Sequence, residues 1–386
     1  MGLNHKTSFV NDQLHFLEKR GLYRHLRTVV ARGPTAQVDD KEVINLCSSD
    51  YLGLSRNKKV IEKTISSLHE VSQCSSRLIA GNHPEIIVLE DLLALHRRTE
   101  SALVYPTGYT ANLGVVMAIA DKSSTIFSDE LNHASIVDAC RLSGATILVF
   151  RHNDTDHLEE LMRRSQGRKI VITEGIFSMD GDIGKLSEIQ SIADHHDAIT
   201  IIDDAHGDFI FGPTFSGIPA KLGVNFDVHI SSMSKGLGCF GGYVATTFSI
   251  RELLINTSRQ FIYTSALPDH LCSAAITAIP ISKSGYLQKR LEWNILYFSS
   301  AMRRLGFEIG NSSSQIIPVI VGKEVQAVEL SNELLKEGVF VQAIRYPTVK
   351  KGHARLRISL SSMHRQKHLD SAIAAFERVG KKTGIL

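Results

Sequence analysis

Ala198-Ile199-Thr200-Ile201-Ile202-Asp203-Asp204-Ala205-His206-Gly207 is a short apolar, β-rich run that stops on two acids, with a histidine three residues after the first. The helix-like stretch Leu186–His195 precedes it, and a second β-rich run, Val228–Ile230, follows and opens into Ser231-Ser232-Met233-Ser234-Lys235-Gly236-Leu237-Gly238. Strand, helix and strand in this order read as one step of a parallel sheet, and chemistry gathered just past the strand ends is where open parallel sheets bind their ligands.

Outward from this stretch the same texture repeats. The β-rich runs Val43–Leu46, Ser101–Val104, Ser124–Phe127, Ala145–Phe150 and Lys169–Thr173 are separated by helix-like Val60–His69, Pro84–His96, Ala111–Ala120 and His133–Leu142. Strands alternating with helices in this way argue a largely parallel sheet covered on both faces. After about residue 285 the texture changes to a long helix candidate, Tyr286–Leu305, then Ile316–Val321, Val325–Glu337, Val339–Ala343, Ala354–Leu360 and a last helix, His368–Val379. Leu14, Leu17, Leu22 and Leu26 keep rough helical spacing before the turn at Gly33-Pro34. The expected organisation is an N-terminal helical arm (1–40), a large α/β domain (41–285), and a smaller α+β C-terminal domain (286–386).

The 386 residues are 43% apolar and 22% charged, which excludes disordered, collagenous and coiled-coil chains. A net charge of +3 is too small for an electrostatic nucleic-acid binder. No apolar run reaches the roughly 18 residues of a membrane span. The five cysteines are scattered, with no CxxC pair and no metal-ligand spacing. Lys6 breaks the myristoylation pattern that Met1-Gly2 opens. These features point to a reduced, soluble, cytoplasmic protein with no metal, nucleic-acid or membrane partner.

Four segments carry chemistry. Asp203 at a strand end can face a cationic group, although an aspartate there is often only a turn former. Lys235 sits in a Ser/Gly bend whose hydroxyls and amides suit a phosphate, and a lysine there can form an imine. The bend also contains Gly236-Leu237-Gly238-Cys239-Phe240-Gly241, a GxGxxG match, but a strand-like run follows where a dinucleotide fingerprint needs a helix. Thr107-Gly108-Tyr109 leads into an apolar helix, a phosphate seat by its free amides and dipole. His133 opens another helix, where an isolated histidine is usually a cap. A lysine, an acid, a flat ring and a phosphate cup are together the parts of a pyridoxal phosphate (PLP) site.

With those parts in place, Asp203-Asp204-Ala205-His206-Gly207 and Ser232-Met233-Ser234-Lys235-Gly236 resemble the α-oxoamine synthases, PLP enzymes of fold type I that join an amino acid to an acyl thioester with loss of carbon dioxide. Asp50–Leu54, Ser76–His83, Thr173–Asp182, Ala343–Val349 and Ala354–Arg357 agree, so the resemblance spans about residues 20–380. It implies a fold-type-I PLP-dependent transferase: a mainly parallel sheet with helices on both faces, plus the smaller C-terminal domain and N-terminal arm. Asn82 after Gly81 favours members that use L-alanine and a pimeloyl thioester; a sister using glycine or another acyl-CoA is the alternative.

The resemblance implies the following roles. Lys235 is the Schiff-base lysine and later the base; Asp203 faces the ring nitrogen; His206 meets the ring hydroxyl; His133 stacks on the ring near the incoming acyl carbonyl. Gly108, Tyr109, Ser232 and Ser234 form the phosphate cup, completed by Thr264 from the neighbouring subunit of a homodimer. Glu174 and Ser178 lie beside the cofactor. Arg357 takes the amino-acid carboxylate, and Arg24 or Arg27 the distal carboxylate of an acyl group carried on coenzyme A or acyl carrier protein.

Three places depart from the family pattern. Ser49 replaces an asparagine that helps hold the substrate carboxylate. Ser72-Gln73-Cys74 replaces a Gly-x-Gly, and Asp208-Phe209 replaces small residues. Their bulk is expected to stiffen the loop and narrow the acyl channel.

Overall fold

The structure is a computed structural model and describes residues 7–386; the Met1-Gly2 and Lys6 positions lie outside the described residues. Its centre is a seven-stranded sheet. In spatial order the strands are Ser101–Tyr105, Gly242–Thr246, Val228–Ser232, Ile199–Asp203, Arg168–Glu174, Ser124–Asp129 and Thr146–Phe150. Gly242–Thr246 runs antiparallel to both of its neighbours, and the remaining pairs are parallel. This strand occupies the place where the GxGxxG match would have needed a helix.

Ile170, Val171, Ile172, Ile201 and Ile202 have no exposed surface. Alternate residues along each strand face opposite layers of helices, so both faces are apolar. Cutting one of these side chains back to alanine costs about 2–5 kcal/mol, which is why the sheet is a rigid platform. The helix Leu186–His195 has the bounds read from the sequence, and so does Tyr286–Leu305. Among the described residues no helix is long and apolar enough to cross a membrane.

Two smaller sheets complete the fold. In one, Ala354–Ser359 lies between Ile316–Gly322 and Gln342–Ile344, antiparallel to both. In the other, Val29–Ala31, Thr35–Val38 and Lys41–Asn45 form a meander that Val339–Phe340 joins in parallel.

The structure differs from the sequence reading at two places here. The run Val339–Ala343, read as one strand, is divided between the two small sheets, with Val341 buried between them. The helix of the arm covers Ser8–Lys19 and stops before Leu22 and Leu26, because Gly21 takes φ +63° and Leu26 stands fully in solvent. Residues 29–31 and 35–38 are strands that pair with each other and with Lys41–Asn45.

Candidate active site

The site lies along one rim of the large sheet, at the carboxyl ends of its parallel strands. Register aligns Glu174 with Asp203 and Asp203 with Ile230, so the ends of three strands lie side by side. Asp203 and Asp204 are consecutive on an extended chain and therefore part company. Asp203 turns to the rim. Asp204 turns inward, to an ion pair with Arg97 at 2.9 Å and a pocket where Gly175, Gly207 and Gly217 leave no room for a Cβ. Burial pushes Asp204 up to about 7 against the pull of Arg97.

Lys235 and His206 meet at 2.8 Å, Nζ to Nε2, and the other ring nitrogen of His206 meets the Tyr51 hydroxyl at 2.7 Å. Burial pulls the Lys235 ammonium below its ordinary pKa, against Asp203 and Glu174 which act to hold the charge. Burial, and then the neighbouring Lys235, depresses His206 well below its usual range, so its ring is neutral at physiological pH. Burial and the nearby Asp203 raise the Glu174 carboxyl well above its ordinary value. Lysine, acid and histidine thus share one electrostatic environment.

Asp203 accepts from Asn112 Nδ2 at 2.7 Å and from the Ala205 amide at 3.0 Å. His133 caps the helix Ala134–Ser143 with its ring, and its own amide donates to Glu174 Oε1 at 2.6 Å. It is both the cap expected of an isolated histidine and a part of the rim.

Gly108 starts the helix Gly108–Ile119 behind a capping box between Thr107 and Thr110. The first amides of a helix have no intrahelical acceptor, and those of Gly108 and Tyr109 are in this position. A Cβ on Gly108 would come within 3.2 Å of Ser232 Cβ, a tight contact, so glycine lets the helix start sit closely against the Ser232 strand end. The Ser232 and Ser234 hydroxyls are 2.8 Å apart beside it. The Tyr109 side chain points elsewhere, to Asp138 Oδ2 at 2.5 Å.

These residues fit PLP: a lysine made less basic by burial, an ionisable acid on the same rim, a flat ring at a helix start, and a cradle of free amides and hydroxyls that a side chain at Gly108 would fill. Within one chain Thr264 does not join that cradle; it lines a small cavity with Arg77, Tyr105 and Pro106.

Arg357 comes from the middle strand of the three-stranded sheet. Its Nε donates to the Ser178 carbonyl at 2.5 Å and its Nη1 to Ser359 Oγ at 3.0 Å, which holds the guanidinium rigidly against the rim. Arg27 is committed to Asp39 at 2.9 Å, whereas Arg24 is exposed. Arg345 donates to the Tyr23 carbonyl at 3.0 Å and so ties the segment next to Arg24 to the C-terminal part of the chain. Ser49 is half-buried in the segment before Tyr51.

The expected narrowing by Asp208 and Phe209 is corrected by the structure. Asp208 is buried behind the rim with His96, Arg97, Tyr243 and Ser231 around its carboxylate, and Phe209 stacks on His96 with centroids 4.1 Å apart. Both fill the core, because a fully buried carboxylate needs several donors and finds them only there. Cys74 is exposed at φ +51°, the backbone region a glycine adopts without strain.

Sequence reasoning missed Tyr51, Asn112 and Ser135. Tyr51 lay in a quoted string without a role. Asn112 was legible in principle: it is a polar residue one turn beyond Gly108 on an otherwise apolar helix.

The loop that carries Ser178 has its own anchor. His152 bridges Asp129 at 2.9 Å and Asp182 at 2.8 Å. Burial alone would lower its pKa, but the two carboxylates overcome this and push it up to about 10. A histidine raised in the folded state stabilises fully below about 6.5 and loses that contribution as pH rises toward 10. His152→Gln is therefore expected to lose about 1–3 kcal/mol at pH 6, a melting-temperature drop of roughly 2–5 °C that closes toward pH 10. Thermal unfolding of both proteins across that range checks it.

The chain matches the Aminotransferase class I and II family over residues 41–376. It is 41% identical to an 8-amino-7-oxononanoate synthase of Thermoanaerobacter pseudethanolicus, covering 99% of each chain. A serine palmitoyltransferase from S. paucimobilis solved with bound PLP superposes with a TM-score of 0.93 at 27% identity, over the full length of both. The structure of an 8-amino-7-oxononanoate synthase from Francisella tularensis has a TM-score of 0.76 at 26% identity, covering 88% of this chain and 98% of that one.

Proposed function

We propose, because this chain belongs to the class I and II aminotransferase family and to its 8-amino-7-oxononanoate synthase branch, that it condenses L-alanine with a pimeloyl thioester to give 8-amino-7-oxononanoate for biotin synthesis. It is a PLP-dependent acyltransferase of fold type I. In the proposed reaction one carbon–carbon bond forms, the thioester C–S bond breaks, and the carboxyl group leaves as carbon dioxide.

PLP supplies an aldehyde for the amine and a cationic ring that accepts the electrons of the broken C–H bond. The chain supplies the rest. Lys235, less basic through burial, holds the cofactor and afterwards moves the α-proton at Nζ. Asp203 keeps the opposing charge, fixed by Asn112 and the Ala205 amide. His206, neutral and oriented by Tyr51, offers Nε2 as a donor to a ring oxygen. Gly108, Tyr109, Ser232 and Ser234 hold the phosphate, Glu174 and Ser178 back the cofactor, and His133 lies against the ring face. Arg357 takes the amino-acid carboxylate; held by Ser178 and Ser359, it loses little freedom on binding. Ser49 offers a shorter hydroxyl to the same carboxylate. Arg24 meets the distal carboxylate, since Arg27 is engaged by Asp39.

In a homodimer Thr264 would complete the partner's phosphate cup. The helix Ser8–Lys19 buries no side chain within one chain and leaves Phe9, Val10, Leu14 and Phe16 in solvent, as a segment that lies on a second subunit would. Five free cysteines suit the reducing cytoplasm.

The observation that carries this reading is the buried line Tyr51–His206–Lys235 beside Asp203 on a single rim. The match to serine palmitoyltransferase over the whole chain keeps a sister reaction, with another amino acid or acyl-CoA, as the second reading. Purified enzyme given pimeloyl-CoA or pimeloyl-carrier protein with alanine is expected to release carbon dioxide and the amino ketone. Product from glycine and acetyl-CoA, with none from alanine, selects the sister.

A further inference from the structure

Two side chains, Asn112 and Ser135, run between Asp203 and His133, and the direction of each hydrogen bond among them follows from the donors present. The Ser135 backbone N–H donates to His133 Nδ1 at 3.2 Å. A backbone amide can only donate, so Nδ1 carries the lone pair and the proton of the neutral ring is on Nε2. Ser135 Oγ, 2.7 Å from the same nitrogen, must then donate to it as well. Its oxygen accepts from Asn112 Nδ2 at 3.0 Å, and the second hydrogen of that amide goes to Asp203 at 2.7 Å. The opposite amide orientation would set oxygen against a carboxylate oxygen. Asn112 and Ser135 are fully buried, so neither has water as a substitute partner.

We infer that Asn112 and Ser135 are positioning residues that fix His133 as a neutral ring with its proton on Nε2, presenting a donor to the incoming acyl carbonyl. The part about the acyl carbonyl rests on the function proposed above; the tautomer does not. Charged and titratable neighbours of the ring are Asp203, Lys235, Asp138 and His206, with Glu174 on the His133 amide and Tyr109 on Asp138. Burial lowers the His133 pKa, the direction a neutral donor requires.

The purpose of such a tie is steric and electronic together. The donor atom must face a carbonyl arriving over the cofactor, and a ring free to turn or to exchange tautomers would present a lone pair half of the time. A charged ring would also compete with the cofactor's cationic ring for Asp203.

The test uses holoenzyme labelled with 15N-histidine, with His133 assigned by comparison with His133→Asn. Long-range 1H–15N spectra at neutral pH are expected to show the Nε2–H tautomer alone. Ser135→Ala should give mixed tautomers and lower kcat by about tenfold, with the amino-acid KM unchanged, as loss of one buried hydrogen bond predicts. Ser135→Thr, which keeps the hydroxyl, should restore both. A wild-type ring protonated on Nδ1, or charged at neutral pH, overturns the inference. So does a folded Ser135→Ala enzyme with unchanged tautomer and kcat. The wild-type spectrum decides even where Ser135→Ala does not fold, and it is independent of which substrate pair the enzyme takes.

Discussion

Replacing Lys235 by alanine is expected to abolish turnover, by at least about 10³-fold, and to remove the visible absorbance of protein-bound PLP. Two roles are lost together: the amine that holds the cofactor and the base that moves the α-proton. Lys235 contacts His206, so the alanine variant also frees Nε2 of that ring. The fold should survive, because the bend is built by backbone: the Met233 amide bonds to the Gly241 carbonyl and the Cys239 amide to that of Met233. Absorbance spectra together with product formation check the expectation. Turnover near the wild-type rate in a purified Lys235→Ala protein would remove the assigned role.

Asp203→Asn should be nearly as damaging. A carboxylate at about 4 Å from a cationic ring contributes roughly 4 kcal/mol at an effective dielectric near 20, which corresponds to about 10³-fold in rate. Asn112 and the Ala205 amide bond different oxygens of the carboxylate, so the amide keeps the shape and one of these contacts while the charge is lost. Asp204→Asn is the control. It leaves Arg97 paired with Asp208 and weakens only the bond to Asp204, so its effect should be a loss of stability of about 1–3 kcal/mol with no change in the cofactor's spectrum. Equal spectral changes in the two variants would show that the neighbouring acids had been given the wrong roles.

Most of the fold was legible because the strands that matter are buried on both sides and the helices between them are amphipathic. Leu186–His195 and Tyr286–Leu305 were readable to the residue for that reason. The strands of residues 29–38 were not. They are short, Val29–Ala31 is exposed, and they pair with each other and with Lys41–Asn45, which is the strand that Val339–Phe340 joins from far along the chain. An apolar leucine spacing before Gly33 looked helical beyond Lys19, yet Gly21 had already ended the helix.

In the site, the residues proposed to do chemistry at strand ends were visible one at a time, and their joint presence pointed to the family. Their supporting partners were not. Asn112, Ser135 and Tyr51 matter only through what they touch, and Asp208 looked like bulk in a channel until the surrounding donors showed it to be in the core.

Local sequence alone determined the alternation of elements, the sheet they build and the identity of the lysine, acid and histidines, since each depends on residue type and on neighbours within a few positions. Only the tertiary structure decided which of two adjacent aspartates faces the rim, which arginine is spent on a neighbouring carboxylate, and which groups meet Nδ1 of His133. Those outcomes depend on distances between segments far apart along the chain, and a few tenths of an ångström there separate a donor from a bystander.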